Sequence, residues 1–503
     1  MTSASYVITA STLGTAQQLV AAVGGRITAG LPIVNGVVAD IPTVRIPVLV
    51  AIPGVVVAPN IPVFATGMGS LGTSTGRTPA AVFPDTTGAS QLGADGVTGR
   101  GVNVAVLDTG IDRLPDFAGR LVAGIDLSGG GDPFQDLYGH GTFVAGIVAG
   151  DGTSSGGLYR GEAPGAGLIS VKVAGSSGAT DMATVIAGIG WAVANAATDH
   201  IGVLNVSLGG IPFASTVLNP LDQAVEVAWH KGITVVTSAG NAGPSNGTIA
   251  TPGDDPLAIT AGASDDNGTV VAADDTMTSF SSVGPTSPDG WFKPDLVAPG
   301  RSLVSLRAPG STIDTAFSGA RIGAANFVGS GTSFSAAVVS GAAALVLQAG
   351  PAPWSPDAVK AKLLGTAVPG PVGNPFVDGH GALNAYAAAH AAPVMLLQPK
   401  PLLPTLVGGV VSLAQRWSTS TWNGANWTAV APSAANVNGE AWNGEAWNGE
   451  AWNGEAWNGE AWNGEAWNGE AWNGEAWNGE AWNGEAWNGE AWNGEAWNGE
   501  AWN

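Results

Sequence analysis

Short apolar runs rich in β-branched residues recur through the middle of this 503-residue chain, with helix-length stretches among them. The runs are Val102–Leu107, Gly167–Val173, Gly202–Ser207, Ile233–Ser238 and Ala258–Ala261. The helical stretches are Asp181–Ala196, Pro220–Lys231 and Ser333–Ala349. A continuous apolar run of this length reads as a strand buried on both faces. Strands that alternate with helices read as crossover units, which build a mainly parallel sheet with helices on both sides. Residues 85–392 are therefore expected to form one α/β domain, and 45% apolar residues supply ample core for it.

Four short motifs sit in this framework. They are Val104-Ala105-Val106-Leu107-Asp108-Thr109-Gly110, Gly139-His140-Gly141-Thr142, Ser238-Ala239-Gly240-Asn241 and Gly331-Thr332-Ser333. Asp108 closes an apolar strand, at the end where open α/β sheets bind ligands. His140 leads into Phe143-Val144-Ala145-Gly146-Ile147-Val148-Ala149, a run suited to a buried helix. Ser333 opens a stretch of Ala, Val and Leu, which places it at a helix N-terminus where the dipole favours negative charge. The set holds an acid, a base, an oxyanion donor and a nucleophile. Its chain order, Asp then His then Ser, is one of the three known for the serine triad.

On these motifs the chain resembles the subtilisin-like serine proteases, the subtilase (peptidase S8) family, over residues 1–392. The resemblance implies a subtilisin-like three-layer α/β fold and a serine endopeptidase working through an acyl-enzyme. It implies that Ser333 is the nucleophile, His140 its base, and Asp108 the group that orients the imidazole. It gives the oxyanion to the Asn241 side chain and the Ser333 N–H. Val203–Gly210 looks like the family's strand and loop that pair with an extended substrate, so Ser207, Leu208 and Gly209 are expected to bind substrate. Ser238, Gly240 and Ala242 complete a small, uncharged specificity wall, which favours an apolar side chain before the scissile bond. Two departures from the family stand out. Ala337-Val338 replace a common Pro-His pair, and Phe143 replaces a frequent His; neither removes a reacting group.

Other copies of these short patterns read differently. Gly72-Thr73-Ser74 and Gly152-Thr153-Ser154 lie in Gly/Ser/Thr-rich loops with no apolar helix behind them. Gly379-His380-Gly381 lacks the following Thr and reads as a turn. His200, His230 and His390 read as helix-end or surface residues. The resemblance makes structural calcium possible, and no other cofactor is required. The candidate acidic loops, Asp132/Asp136 and Asp265-Asp266-Asn267-Gly268, match no ligand spacing and read as solvated turns.

The segment before the α/β domain reads as strand Tyr6–Ala10, helix Thr15–Val23, and strands over Val34–Pro42 and Pro53–Asn60. Pro47 weakens a second helix at Thr43–Ile52. This resembles the small α+β inhibitor prodomain of subtilases (residues 1–65), an intramolecular inhibitor, followed by a linker at 66–84 that holds the processing site. No basic n-region or apolar h-region marks a signal peptide. The apolar stretch Ile46–Ala65 carries four prolines and does not read as a membrane span. An extracellular or cell-surface location follows from the resemblance.

Cysteine is absent, which excludes disulfides and thiolate metal sites. The net charge is −22, and a basic nucleic-acid footprint is missing. Thirteen of the 39 acidic residues are the glutamates spaced every five residues from Glu440 to Glu500. They belong to the Trp-Asn-Gly-Glu-Ala repeat tail of residues 417–503, near-perfect from Trp442 after a degenerate start at Trp417, Trp422 and Trp427, and preceded by a Pro/Leu-rich linker at 393–416. A period of five puts successive Trp residues on opposite faces of a strand and fits no heptad. A disordered acidic tail, an ordered β-array and a surface- or glycan-binding tail all fit this composition, and its ligand is unknown. The rival to the protease reading is accordingly a surface-binding or assembly protein that acts through the tail, its protease domain serving maturation.

Overall fold

The computed structural model describes residues 3–65, 82–350, 355–392, 421–422 and 427–428. It divides into two compact units, one holding residues 1–396 and 403–409, the other the remainder of the tail.

The first unit opens with a small α+β body. Its elements are β1 (Ser3–Thr9), α1 (Leu13–Ala22), β2 (Arg26–Leu31), β3 (Gly36–Pro42), α2 (Ile46–Val50) and β4 (Val56–Pro59). The sheet order is β2-β3-β1-β4. Its own core of Ile8, Val20, Val37, Ile41 and Leu49 is separate from the main one. Thr12 caps α1 by accepting the Thr15 N–H. The sequence reading passed over β2, whose Arg26–Gly30 face is exposed and lacks an apolar period. The second helix is a 3₁₀ turn followed by the short α2, with Pro47 in the first turn, where a missing N–H costs nothing.

Strand β5 (Pro62–Ala65) leaves this body. Next come α3 (Phe83–Thr86), α4 (Ala89–Ala94), β6 (Asn103–Asp108), β7 (Leu121–Asp126), α5 (His140–Ala149), β8 (Gly167–Lys172), β9 (Ala179–Asp181) and α6 (Met182–Asn195). Then follow β10 (Ile201–Val206), β11 (Leu208–Gly209), α7 (Pro220–His230), β12 (Thr234–Ser238), β13 (Ile259–Asp265), β14 (Thr276–Met277) and β15 (Leu296–Pro299). The last part holds β16 (Leu303–Leu306), α8 (Thr312–Ala316), β17 (Arg321–Ile322), β18 (Asn326–Gly329), α9 (Thr332–Ala349), α10 (Pro356–Gly365) and α11 (Ala385–His390).

The main sheet has the order β14-β13-β12-β10-β6-β8-β7, with β15 also on β13. Every pairing in it is parallel except β13 with β14. Helices α5 and α9 pack together on one face, α6 and α7 on the other. This is the three-layer arrangement that the alternating runs called for. The chain crosses from β8 to β10 over β6, so β6 stands at the switch point where clefts open in such sheets. Asp108 ends β6 there. Helix α9 is long and apolar enough to cross a membrane, but 83% of it is buried inside the molecule, and it serves as the central core helix.

In the second unit Thr421–Trp422 (β19) pairs antiparallel with Trp427–Thr428 (β20), placing Trp422 opposite Trp427. The uninterrupted repeat, the linkers at 66–81 and 393–416, and the Gly72-Thr73-Ser74 motif lie outside the described residues.

Candidate active site

Three elements deliver the motif residues to one edge of the sheet. Asp108 comes from the end of β6, His140 from the first residue of α5, and Ser333 from the first turn of α9. All three are buried. His140 Nδ1 lies 2.8 Å from Asp108 Oδ1 and 2.9 Å from Oδ2. The Thr109 N–H donates to Asp108 Oδ1 at 2.8 Å and holds the carboxylate in place. A carboxylate on Nδ1 selects the tautomer that leaves Nε2 as the acceptor. Nε2 is buried and makes no hydrogen bond among the described residues.

The start of α5 is set by close contact. A Cβ on Gly141 would lie 2.2 Å from the Gly110 carbonyl oxygen, so only glycine lets this helix meet the β6 loop. The buried Asp136 then ties loop to helix. Its Oδ1 accepts from the Thr109 hydroxyl (2.8 Å), the Gly139 N–H (2.7 Å) and the Tyr138 N–H (3.2 Å). Its Oδ2 accepts from the Thr142 N–H at 2.8 Å. Burial pushes the Asp136 pKa up, and these donors oppose the shift. Asp136 is thus not part of a solvated turn, as its loop reads in the sequence, but a buried carboxylate enclosed by backbone and hydroxyl donors.

The Ser333 hydroxyl donates to the Ser207 carbonyl at 3.0 Å, and the Ser207 hydroxyl donates back to the Ser333 carbonyl at 3.0 Å. Asn241 is oriented by Thr332. Both the Thr332 N–H and its hydroxyl approach Asn241 Oδ1 at 3.0 Å. A backbone N–H can only donate, so the amide oxygen faces α9 and the NH₂ faces away from it. The Thr332 hydroxyl also accepts from the Gly240 N–H at 3.1 Å.

The remaining expected binding positions line the same region. Strand β11, Leu208–Gly209, pairs antiparallel with β5, placing Leu208 opposite Ala65 and Gly209 opposite Phe64. On its other edge β5 pairs with β9, Val63 opposite Thr180. Ser238 ends β12, and Ala242 donates its N–H to the Ser282 hydroxyl. Behind Gly240 stands Ala250, 3.0 Å from where a Gly240 Cβ would be. The next turn holds Asp254, whose N–H donates to the Ala250 carbonyl. Burial and the neighbouring Asp255 push the Asp254 pKa up to about 7. The sequence reading placed no acid near the wall; Asp254 stands one turn behind it.

The other candidates are spoken for. Asp132 pairs with Arg113 at 3.1 Å and accepts the Phe134 N–H. Asp265 and Asp266 accept the N–H groups of Asn267 and Gly268 in a tight turn. Among the described residues no group of three or more His, Asp or Glu side chains could hold a metal ion, so the acidic loops do not fit a carboxylate calcium cage. His380 sits in a turn, and burial lowers its pKa to about 3. His390 ends α11, its Nδ1 2.9 Å from the Tyr386 carbonyl.

Residues 99–389 match the model of the subtilase family, Peptidase S8. The chain belongs to the subtilase family of serine endopeptidases. It is 43% identical to serine protease AprX of Bacillus subtilis (strain 168) over 294 residues, 58% of this chain and 66% of AprX. It is 37% identical to subtilisin NAT of Bacillus subtilis subsp. natto over 304 residues, 60% of this chain and 69% of that protein. The chain thus spans about two thirds of the length of these subtilase relatives. Among solved structures, fervidolysin from Fervidobacterium pennivorans, a keratinolytic enzyme related to subtilisin, superposes with a TM-score of 0.61 at 23% identity. That likeness covers 78% of this chain and 62% of fervidolysin, and it speaks for the fold.

Proposed function

We propose that this subtilase cuts polypeptides with Asp108, His140 and Ser333, and that its first substrate is its own N-terminal segment. The observation that carries the reading is the buried Asp108–His140 pair, which leaves Nε2 as an acceptor, with the ring of Phe334, the residue after Ser333, centred 5.6 Å from that of His140. With β5 paired along β11, Ser333 Oγ is turned to the Ser207 carbonyl. Seating of the scissile bond beside Ser333 then frees Oγ from this carbonyl for Nε2. Such hydrogen bonds commonly tighten only when substrate arrives. His140 takes the hydroxyl proton as Oγ bonds to the scissile carbonyl carbon. The negative oxygen is met by the Asn241 NH₂ and the Ser333 N–H. His140⁺, stabilised by Asp108, gives the proton to the leaving amine, and water hydrolyses the ester by the same route in reverse.

Strand β5 supports the self-processing reading. It lies antiparallel between β9 and β11 as a bound peptide would, with Val63 wholly buried and Phe64 half exposed. Its direction carries the chain from Leu208 toward Ser207 and Ser333. The segment 1–65 is then both template and occupant of the cleft, and the mature enzyme works outside the cell. The test is the intact mass of wild type and Ser333→Ala after incubation at neutral pH. Wild type alone is expected to lose an N-terminal piece, with the new N-terminus within residues 66–81. Equal cleavage of both proteins would remove Ser333 from the reaction.

A further inference from the structure

Helix α9 is buried from Thr332 to Val346 and mostly apolar, yet it carries a serine, Ser340, in its middle. A buried hydroxyl is costly unless it is hydrogen-bonded, so its partner is informative. Ser340 follows Ser333 by about two helical turns and stands on the same face of α9. Its hydroxyl donates to Asn205 Oδ1 at 2.9 Å, and Asn205 Nδ2 donates to the Ser207 hydroxyl at 2.8 Å. We propose that Ser340 and Asn205 are positioning residues of the protease. They form a buried relay that fixes the Ser207 hydroxyl on the Ser333 carbonyl and so sets the nucleophile against the loop that receives substrate. The inference rests on the protease reading above.

The direction of every bond in the relay is forced from one end. The Ser333 carbonyl can only accept, so the Ser207 hydroxyl spends its proton there, at 3.0 Å. The Ser207 oxygen then accepts, which turns the Asn205 NH₂ toward it. The amide oxygen consequently faces Ser340, and Ser340 has to donate. All four residues are wholly buried, and in a low dielectric such a chain of bonds holds its members in one arrangement. Without the Ser340 hydroxyl the amide oxygen loses its donor. The Asn205 side chain can then turn over, and its oxygen draws the Ser207 proton away from Ser333.

The place of the relay links it to the reaction. Asn205 lies in β10, the strand that leads into Ser207 and β11, and it pairs with Val106 of β6 on one side and Val236 of β12 on the other. The relay thus ties the strand proposed to pair with substrate to the helix that carries the nucleophile. With β5 in place, Ser333 Oγ also donates to the Ser207 carbonyl at 3.0 Å. That bond is given up when Oγ turns to His140. The Ser207 hydroxyl goes on holding the Ser333 carbonyl, so the first turn of α9 keeps its place while Oγ attacks. Small errors in such placement are costly in rate.

The test is a double-mutant cycle on peptide hydrolysis by the full chain, with Ser340→Ala, Ser207→Ala and the double variant. Rates are expressed per Ser333 labelled by a fluorophosphonate, so unfolded protein drops out. Ser340→Ala is expected to lower kcat about tenfold with KM within about twofold of wild type. The double variant is expected to match Ser207→Ala alone, since without the Ser207 hydroxyl the relay has nothing to hold. Asn205→Asp, nearly the same shape, takes the Ser207 proton onto its carboxylate and is expected to share the Ser340→Ala defect. A serine that only stabilises the core would lower the melting temperature and leave kcat per labelled site at the wild-type value; that result overturns the proposal. Losses that multiply in the double variant, or a wild-type kcat in Asn205→Asp, overturn it as well. If wild type itself fails to cut the peptide, the protease reading falls and takes the relay with it.

Discussion

A buried carboxylate that accepts four hydrogen bonds dictates the shape of its loop, and Asp136 does this just ahead of His140. It is a positioning residue, because it touches the backbone that carries the imidazole. In Asp136→Asn an NH₂ group must face an N–H donor, from either Thr142 or Gly139, and one buried donor loses its partner. That costs about 1–3 kcal/mol. We expect kcat to fall about tenfold or more, with KM little changed and the melting temperature lowered; an unchanged kcat in a folded variant would refute the role. In the proposed mechanism Asn241 meets the reacting oxygen itself. Asn241→Ala is expected to lower kcat by about 10²–10³, the range known for the equivalent donor in subtilisin, while KM stays near wild type. A pre-steady-state assay of acylation checks this directly. The motif residues were legible from sequence because each stands in a local signature: an acid ending an apolar strand, and a histidine and a serine each opening an apolar helix. Asp136 was visible as a residue, yet its role appeared only once Thr109 and Thr142 were seen to converge on it.

At the scale of elements, the contact between α5 and α9 holds an unexpected acid. Glu162 follows α5 and is fully buried against α9, where a Cβ on Gly341 would lie 2.5 Å from its own Cβ. Burial pushes its pKa from 4.5 up to about 8, opposed by the nearby Thr87 hydroxyl. The folded protein therefore holds a proton here that the unfolded chain releases near pH 4.5. Its contribution to stability is complete below that pH and declines as pH rises toward about 8. Glu162→Gln removes this decline. Thermal unfolding across that window should show wild type losing stability relative to the variant, by at least about 1 kcal/mol or about 2–4 °C at the alkaline end. Parallel melting curves at every pH would rule it out. Apolar runs foretold β6, β8, β10 and β12 to within a residue, but the run Ala258–Ala261 stops four residues short of the end of β13, and no run marked β7. The three-stranded β11-β5-β9 sheet was not foreseen as a unit, because strands of two to four residues carry too few positions to show a period.

At the scale of the whole molecule, the chain joins a densely packed α/β body to an acidic, tryptophan-rich tail of quite different composition. If the body alone carries the chemistry, deleting residues 405–503 leaves kcat/KM on a soluble peptide within about twofold, a difference of under half a kcal/mol. A large loss would move the function toward the tail, where the rival reading put it. The division between what was written locally and what was not is itself physical. The sequence by itself determined the α/β class, the family and the positions of Asp108, His140, Asn241 and Ser333, because buried strands, helix starts and glycine contacts are encoded in adjacent residues. Only the tertiary structure decided that Ser333 rests on Ser207, 126 residues away, that β5 lies between β9 and β11, and that Ser340 reaches the Ser207 hydroxyl through Asn205. These are pairings between distant segments. They depend on how the packed layers bring those segments together, and no periodicity within either segment records them.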